Sequence, residues 1–182
     1  MKKILTIAIL GLASLVLTGC PLTTGQVVVN IDLGTVHVSS SDPVSIQNVN
    51  LNDNKDYVDH KANVKSISDY AVLGVVNNGS SPLNFEVWMT PGTTAYTSAT
   101  DVKAHAIKLW GPLTLAAGAS RNIGWDDSAG LFTAAGKAAV ITETLGDGQF
   151  TLYALGLGTD GTTTSEFTAT HGQLVLVIDA GI

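Results

Sequence analysis

Residues 70–89 read YAVLGVVNNGSSPLNFEVWM and place two strand-like segments on either side of a polar turn. The first segment, 70–76, is almost wholly apolar, which is typical of a central β-strand covered on both faces. In the second segment, 83–89, apolar and polar residues alternate, which is the pattern of a half-buried strand. The Asn, Gly, Ser and Pro residues at 77–82 favour a turn. Together these features predict a β-hairpin.

Short segments of the same kind recur on both sides of this hairpin. Alternation or short apolar runs predict further strands at 27–33, 36–38, 44–51, 104–109, 113–120 (a strand with its turn), 121–125, 150–157 and 173–179. The side of the chain that carries the apolar residues changes after Gly34 and again at Val49, as a bulge or bend would cause. We expect Val44 and Ile46 to face inward.

The remaining segments predict one helix and two long loops. Leu131, Phe132, Ala135 and Ala138 recur at helical spacing, so 128–139 is the one short helix expected, with Ser128 as its cap. Residues 52–63 and 158–172 are predicted as loops. Many short strands and little helix indicate an all-β antiparallel sandwich, which would form a single domain over residues 26–182.

Two strand-turn-strand segments carry a resemblance to a known fold. Residues 75–83 (VVNNGSSPL) and 115–120 (LAAGAS) resemble the corresponding steps of bacterial immunoglobulin-like domains. This resemblance implies an immunoglobulin-like strand order for the sandwich, but fold class alone does not fix function.

The first twenty residues have the organisation of a secretion signal. Lys2 and Lys3 precede a short apolar run, which ends at the small residues before Cys20. The segment Leu17-Thr18-Gly19-Cys20 resembles the lipobox of bacterial lipoprotein precursors. That resemblance implies a helical signal peptide at 1–19, a lipid attached to the Cys20 sulfur, and a lipidated tether at 20–25. An ordinary secretion signal and a leader that is never cleaved are the alternatives.

The same resemblance bears on location. In the enteric lipoproteins that this segment resembles, an aspartate directly after the lipidated cysteine favours retention in the inner membrane. This chain has Pro21 at that position. We therefore expect a protein of the bacterial cell envelope that is held on the outer membrane rather than the inner one. Several acyl chains on Cys20 would supply the membrane affinity, because one chain alone binds a bilayer only marginally.

Composition excludes several classes of partner. Of the nine Lys and Arg residues, Lys2 and Lys3 leave with the predicted leader, so seven remain against fifteen Asp and Glu, a formal balance of −8. A chain this acidic, without a basic stripe, is not expected to bind nucleic acid or to dock electrostatically on anionic lipid. Cys20 is the only cysteine, so the domain has no disulfide available and must be stabilised by packing.

The sequence offers little to support catalysis or a metal cofactor. His37, His60, His105 and His171 are not at metal-ligand spacing, and no nucleophile-elbow or phosphate-loop motif occurs. We therefore predict a protein that is not an enzyme and that has no cofactor besides the lipid. The segment 52–60 contains oxygen ligands of the kind calcium prefers, but it lacks the glycine and glutamate of an EF-hand, so a solvated acidic loop is the simpler interpretation. In 125–128, Asp126, Asp127 or Ser128 is expected to serve a helix N-terminus.

Trp88 is the candidate binding residue. Within 83–89 it falls among the polar residues, on the side of the strand opposite the predicted core. An outward tryptophan is able to stack on a sugar ring or anchor a partner protein. The alternative is that other parts of the chain fold over it.

These observations predict a membrane-anchored lipoprotein that acts outside the cytoplasm as a non-catalytic structural or protein-interaction module of the cell envelope. A carbohydrate-binding or adhesion module that uses Trp88 is the second hypothesis. A hydrolase or a calcium-dependent protein is the third.

Overall fold

The computed structural model describes residues 24–181. The predicted signal peptide at 1–19, Cys20 and the first residues of the tether lie outside the described residues. The described chain forms eight strands: β1 Thr24–Val38, β2 Val44–Asn50, β3 Val64–Asn78, β4 Leu83–Pro91, β5 Ile107–Leu115, β6 Ser120–Ile123, β7 Gln149–Leu157 and β8 Phe167–Gly181. It also forms four helices: α1 Lys55–His60, α2 Ala99–His105, α3 Trp125–Ala129 and α4 Ala134–Leu145, with 3₁₀ turns at Leu51–Asp53 and Lys61–Asn63.

The strands form two antiparallel sheets of four, which confirms the predicted all-β sandwich. Sheet A has the order β1-β8-β3-β6 and sheet B the order β2-β7-β4-β5. Apolar side chains from the inner faces of both sheets build one core. In β4 the buried inner residues are the four that alternation predicted, Leu83, Phe85, Val87 and Met89. The Phe85 ring lies 5.4 Å from Trp110 of β5 and 4.7 Å from Phe167 of β8, so this strand joins the two sheets.

The strand order is not the immunoglobulin-like order that the sequence resemblance implied. In immunoglobulin domains the first two strands are neighbours in one sheet. Here consecutive strands lie in different sheets, with β4 and β5 as the exception among the described strands, and the first strand pairs with the last. Eight strands in this order form a jelly roll. The turn segments correctly indicated chain reversals, but a reversal does not specify whether the next strand stays in the same sheet.

The hairpin predicted for residues 70–89 is therefore wrong, although both of its strands are present. β3 pairs with β6 and β8 in sheet A, whereas β4 pairs with β5 and β7 in sheet B. The turn crosses between the sheets, where the Asn78 side-chain amide donates to the carbonyls of Ser81 and Ala116 at 2.8 and 2.7 Å. The two strands meet through their inner faces rather than through backbone hydrogen bonds.

The single predicted helix is two helices. α3 ends at Ala129, and α4 begins at Ala134 with Thr133 as its cap, whose Oγ1 accepts the Gly136 N–H at 2.9 Å. Gly136, which weakens a helix in isolation, is needed here because a Cβ atom would lie 2.5 Å from the Cα of Leu109 in β5. Residues 104–109, predicted as a strand, contain the end of α2 and the start of β5.

Ser128 is not a cap. It is fully buried within α3, where its Oγ accepts the Val72 N–H at 2.7 Å and the Trp110 Nε1–H at 3.0 Å. Asp126 and Asp127 do lie in the first turn of α3, as predicted.

The polar segment 52–63, predicted as a loop, contains α1 between two 3₁₀ turns. Asn54 caps α1 by accepting the Tyr57 N–H at 3.1 Å. Tyr57 is fully buried and donates its hydroxyl to the Thr144 carbonyl of α4 at 2.7 Å. One aromatic anchor therefore holds a segment whose composition is otherwise that of a loop. The predicted loop 158–172 is also shorter than expected, because β8 begins at Phe167.

The connections differ between the two ends of the sandwich. Alternating strand directions place β1's start and β8's end at one end, which we call the proximal end. The connections that carry all the described helices, 51–63, 92–106 and 124–148, start at this end. The short connections 39–43, 79–82 and 116–119, with 158–166, lie at the opposite, distal end. None of the helices within residues 24–181 is long and apolar enough to cross a bilayer.

Removing the hydroxyl of each of two buried tyrosines is expected to change stability in opposite directions. The Tyr70 hydroxyl is buried with no hydrogen-bond partner among residues 24–181, whereas the Tyr57 hydroxyl is bonded. Tyr70→Phe should raise the unfolding free energy by about 1 kcal/mol, and Tyr57→Phe should lower it by about 1 kcal/mol. Urea denaturation of both variants measures the two changes. A Tyr70→Phe variant as destabilised as Tyr57→Phe would show that the Tyr70 hydroxyl is satisfied.

The same burial predicts a loss of stability at alkaline pH. Burial raises the pKa of Tyr70 to about 12, whereas an unfolded tyrosine has a pKa of about 10. Because the folded state favours the neutral phenol, the unfolding free energy is unaffected by this group below pH about 10 and falls as the pH rises toward about 12. Denaturation across this window should show a smaller loss for Tyr70→Phe than for the unmodified chain. Equal losses of unfolding free energy in Tyr70→Phe and in the unmodified chain would mean that other groups cause the alkaline effect.

Candidate functional site

Trp88 lies on the outer face of sheet B, as alternation predicted, and is half-buried. Lys108 of β5 is its neighbour on one side and Tyr153 of β7 on the other. The indole N–H donates to Glu86 Oε2 at 2.9 Å, and Lys108 Nζ lies 5.4 Å from the centre of the ring. The orientation of the ring is therefore fixed by two neighbouring side chains.

Glu86 is the least expected member of this group. Alternation placed it on the polar face, yet it is only 7% exposed. Its Oε1 forms an ion pair with Lys108 Nζ at 2.5 Å, while Oε2 accepts the indole N–H. A carboxylate this buried needs such partners, because an unpaired buried charge is strongly destabilising. The sequence gives no sign of this burial.

The β4–β5 connection covers part of the outer face of sheet B beside Trp88. Val102 of α2 packs on residues of β2 and β7 in a second, smaller core, which Trp88 borders. Tyr96 from the same connection stacks on His105 with ring centres 5.2 Å apart. These contacts match the alternative for Trp88, in which other parts of the same chain fold over the ring. A role of Trp88 in ligand binding stays a prediction.

The second core explains the pattern of strand β2. Val44 and Ile46, expected to face inward, instead face outward into the second core, whereas Val49 packs in the main core. The pairing of β2 with β7 is continuous, so no bulge causes the change. As a consequence, Ser45 and Gln47 lie on the face of β2 that is turned toward sheet A, where Ser45 is half-buried and Gln47, at the edge, is exposed.

An apolar cavity lies between the sheets behind Ser45 and Gln47. It has a volume of about 40 Å³ and reaches the surface between β1 and β2, where Leu33 and Val36 are half-exposed. The other lining residues are Val72, Leu73, Gly74, Val76, Phe85, Val87, Ile123, Leu152, Ala154, Ala169 and Gly172. Apart from Ser45 and Gln47, the wall is almost entirely carbon.

Irregularities in sheet A form the wall of this cavity. The pairing of β1 with β8 shifts register around Gly34, and the pairing of β3 with β8 shifts around Gly74. Gly74 has a φ of 150°, and a Cβ there would lie 3.1 Å from the Thr170 carbonyl oxygen. In β8, His171 has a φ of 54°. Three adjacent strands therefore bend at one level, next to the cavity.

Within residues 24–181, strand β2 is an edge strand without the usual protection. Its residues VSIQNVN include no charge and no proline, and its register is regular. In contrast, the Asn54 amide donates to the Asn30 carbonyl of β1 at 2.9 Å, and β5 is covered through the bridge from Trp110 to Phe132. β6 has only four residues and includes Arg121. Natural edge strands are normally kept from pairing with other chains by such devices.

The other predicted candidates are not brought together. No group of three or more potential metal ligands is found among residues 24–181, so the carboxylates of Asp53, Asp56 and Asp59 do not converge. Asp59 instead pairs with Lys55 of the same helix. His37 is exposed on the outer face of sheet A, where its Nδ1 lies 3.1 Å from Thr168 Oγ1. Cys20 lies outside the described residues.

No protein-family model, no curated protein and no solved structure matches this chain.

Filling the cavity with a larger side chain is expected to raise the unfolding free energy. Ala154 faces the cavity, and Ala154→Val should raise the unfolding free energy by about 1 kcal/mol, because a cavity costs about 24 cal/mol per Å³. Ala71 is equally small and buried but does not line the cavity, so Ala71→Val should destabilise by about 1–3 kcal/mol through overpacking. Urea denaturation of the two variants provides the comparison. Destabilisation of both by similar amounts would mean that the space beside Ala154 is not available.

Proposed function

We propose that this chain is a membrane-anchored lipoprotein of the bacterial cell envelope, and that its sandwich is a non-catalytic module for interaction with other proteins. The observation that carries the anchoring is the lipobox-like segment ending at Cys20, with the first strand beginning at Thr24. Four residues span at most about 14 Å. Lipid on Cys20 would therefore hold the proximal end of the sandwich close to the bilayer surface.

This attachment would set the orientation of the module. β1 is fifteen residues long, and strands rise about 3.3 Å per residue, so the distal connections would lie roughly 45–50 Å farther from the membrane. Strand β2 runs from the distal end toward the proximal end, and its free edge would face sideways from the membrane normal. A partner would reach it without displacing lipid.

The charge of the chain supports a role in protein interaction over lipid or nucleic-acid binding. With a formal balance of −8 after removal of Lys2 and Lys3, the surface would repel anionic headgroups, so the acyl chains would be the source of membrane affinity. The outer membrane is the proposed location, on the basis of Pro21.

The carbohydrate-binding alternative has weaker support from the geometry. The indole N–H of Trp88 is already bonded to Glu86, and its ring borders the second core. A sugar would have to stack on the part of the ring that remains exposed. The unprotected edge of β2 and the cavity beside it favour a protein partner instead.

The anchoring is tested by a change at Cys20. Cys20→Ser removes the only thiol, and a hydroxyl is a much poorer nucleophile than a thiolate. We expect the variant to lose metabolic labelling with an alkyne-bearing palmitate and to leave the membrane fraction. Thr18→Ser, which keeps a small residue in the lipobox-like segment, is the matched control and should retain the label. A Cys20→Ser protein that is still labelled and membrane-bound would contradict the proposed anchoring through Cys20.

A further inference from the structure

We propose that the free edge of β2, together with the apolar cavity beside it, binds an extended, uncharged segment of a partner protein, with one aliphatic side chain of that segment in the cavity. This inference rests on the proposed function, since it specifies what the interaction module recognises. The partner segment would add to sheet B as a fifth strand.

The backbone of β2 is available for such pairing. The Leu51 N–H donates to the Gly148 carbonyl at 2.8 Å. Because hydrogen-bonded pairs alternate in an antiparallel ladder, Ser45, Gln47 and Val49 direct their backbone groups toward β7. The backbone N–H groups of Ile46 and Asn48 therefore point away from the sheet, and they have no partner among residues 24–181. An added strand would satisfy them.

The size of the cavity determines what enters it. A volume of about 40 Å³ admits about three groups the size of water, whereas small-molecule sites typically measure roughly 300–1,000 Å³. The space suits a single aliphatic side chain and not a whole lipid or cofactor. Its position beside β2 is where an inward-facing residue on an added strand would project.

The chemistry of the edge selects against other occupants. β2 carries no charged residue, although the chain as a whole is acidic, so a strongly basic or acidic segment would gain no ion pair with this strand. In a second copy of the chain, Val49 of β2 is already packed in that copy's own main core, so Ser45 and Gln47 are the residues that pairing through β2 would present to the cavity. These polar side chains do not suit a carbon-lined space. A different protein with an aliphatic residue is the better fit.

The experiment uses the full chain purified in detergent and phage-displayed random heptapeptides. Enriched sequences are made as fluorescent peptides, and their affinity is measured by anisotropy. We expect enriched peptides to be uncharged, with an aliphatic residue at a central position. Amide hydrogen exchange at Ile46 and Asn48 should slow when such a peptide binds.

Two variants locate the site. Gln47→Lys places a lysine on the edge strand, a device that natural proteins use to block pairing, and should weaken binding at least tenfold. Gln173→Lys, the same change at an exposed position of β8 in sheet A, is the matched control and should bind within twofold of the unmodified chain. Ala154→Val narrows the cavity and should also weaken binding at least tenfold. If circular dichroism shows that Gln47→Lys is unfolded, the peptide affinity of Ala154→Val alone tests the site.

Three outcomes would overturn the inference: no enrichment of aliphatic sequences, peptide affinity unchanged in the variants, or a concentration-dependent dimer that Gln47→Lys abolishes. The last result would assign the edge to a second copy. None of these results depends on acylation of Cys20, so lipid labelling separates failure of this inference from failure of the proposed anchoring.

Discussion

The position of β8 between β1 and β3 is the constraint on which the rest of the structure depends. β8 is one of three fifteen-residue strands, and it pairs with the other two along nearly their whole length. Its pairing with β1 brings together residues that are 129–157 positions apart in the sequence, at the entropic cost that closing such loops entails. Cys20 is the only cysteine, so no disulfide offsets that cost. Burial of the inner faces of the two sheets must do so.

The same arrangement explains which features of the fold were predictable. Strand positions follow from local alternation, so Leu83–Met89 and the inward residues of β4 were predicted correctly. Strand order depends on partners distant in sequence, and nothing at 77–82 distinguishes a hairpin from a crossing between sheets. Helix α1 was missed, and the predicted helix at 128–139 covered parts of α3 and α4 with the wrong bounds, for a related reason. Tyr57 anchors α1, and Gly136 admits α4 against β5, through contacts that exist only in the folded chain.

The candidate site was predictable only in part, again because of tertiary contacts. The outward position of Trp88 followed from period-two alternation. The burial of Glu86 did not, because its ion-pair partner Lys108 lies on a different strand. The change of side within β2 was visible in the sequence at Val49, and a bend was the expected cause. The actual cause is that Val44 and Ile46 serve a second core on the opposite face, which leaves polar residues facing the cavity.

The difference between the two ends of the sandwich has a consequence for how the protein tolerates change. The helices that close the core are all in connections that start at the proximal end, where an inserted sequence would displace buried groups such as Tyr57 and Val140. Three of the four distal connections, 39–43, 79–82 and 116–119, are short and rich in small residues, and exposed segments of this kind accept insertions most readily. An epitope tag or a foreign loop placed at 39–43 would therefore leave the core intact, and sequence divergence is expected to accumulate at this end first.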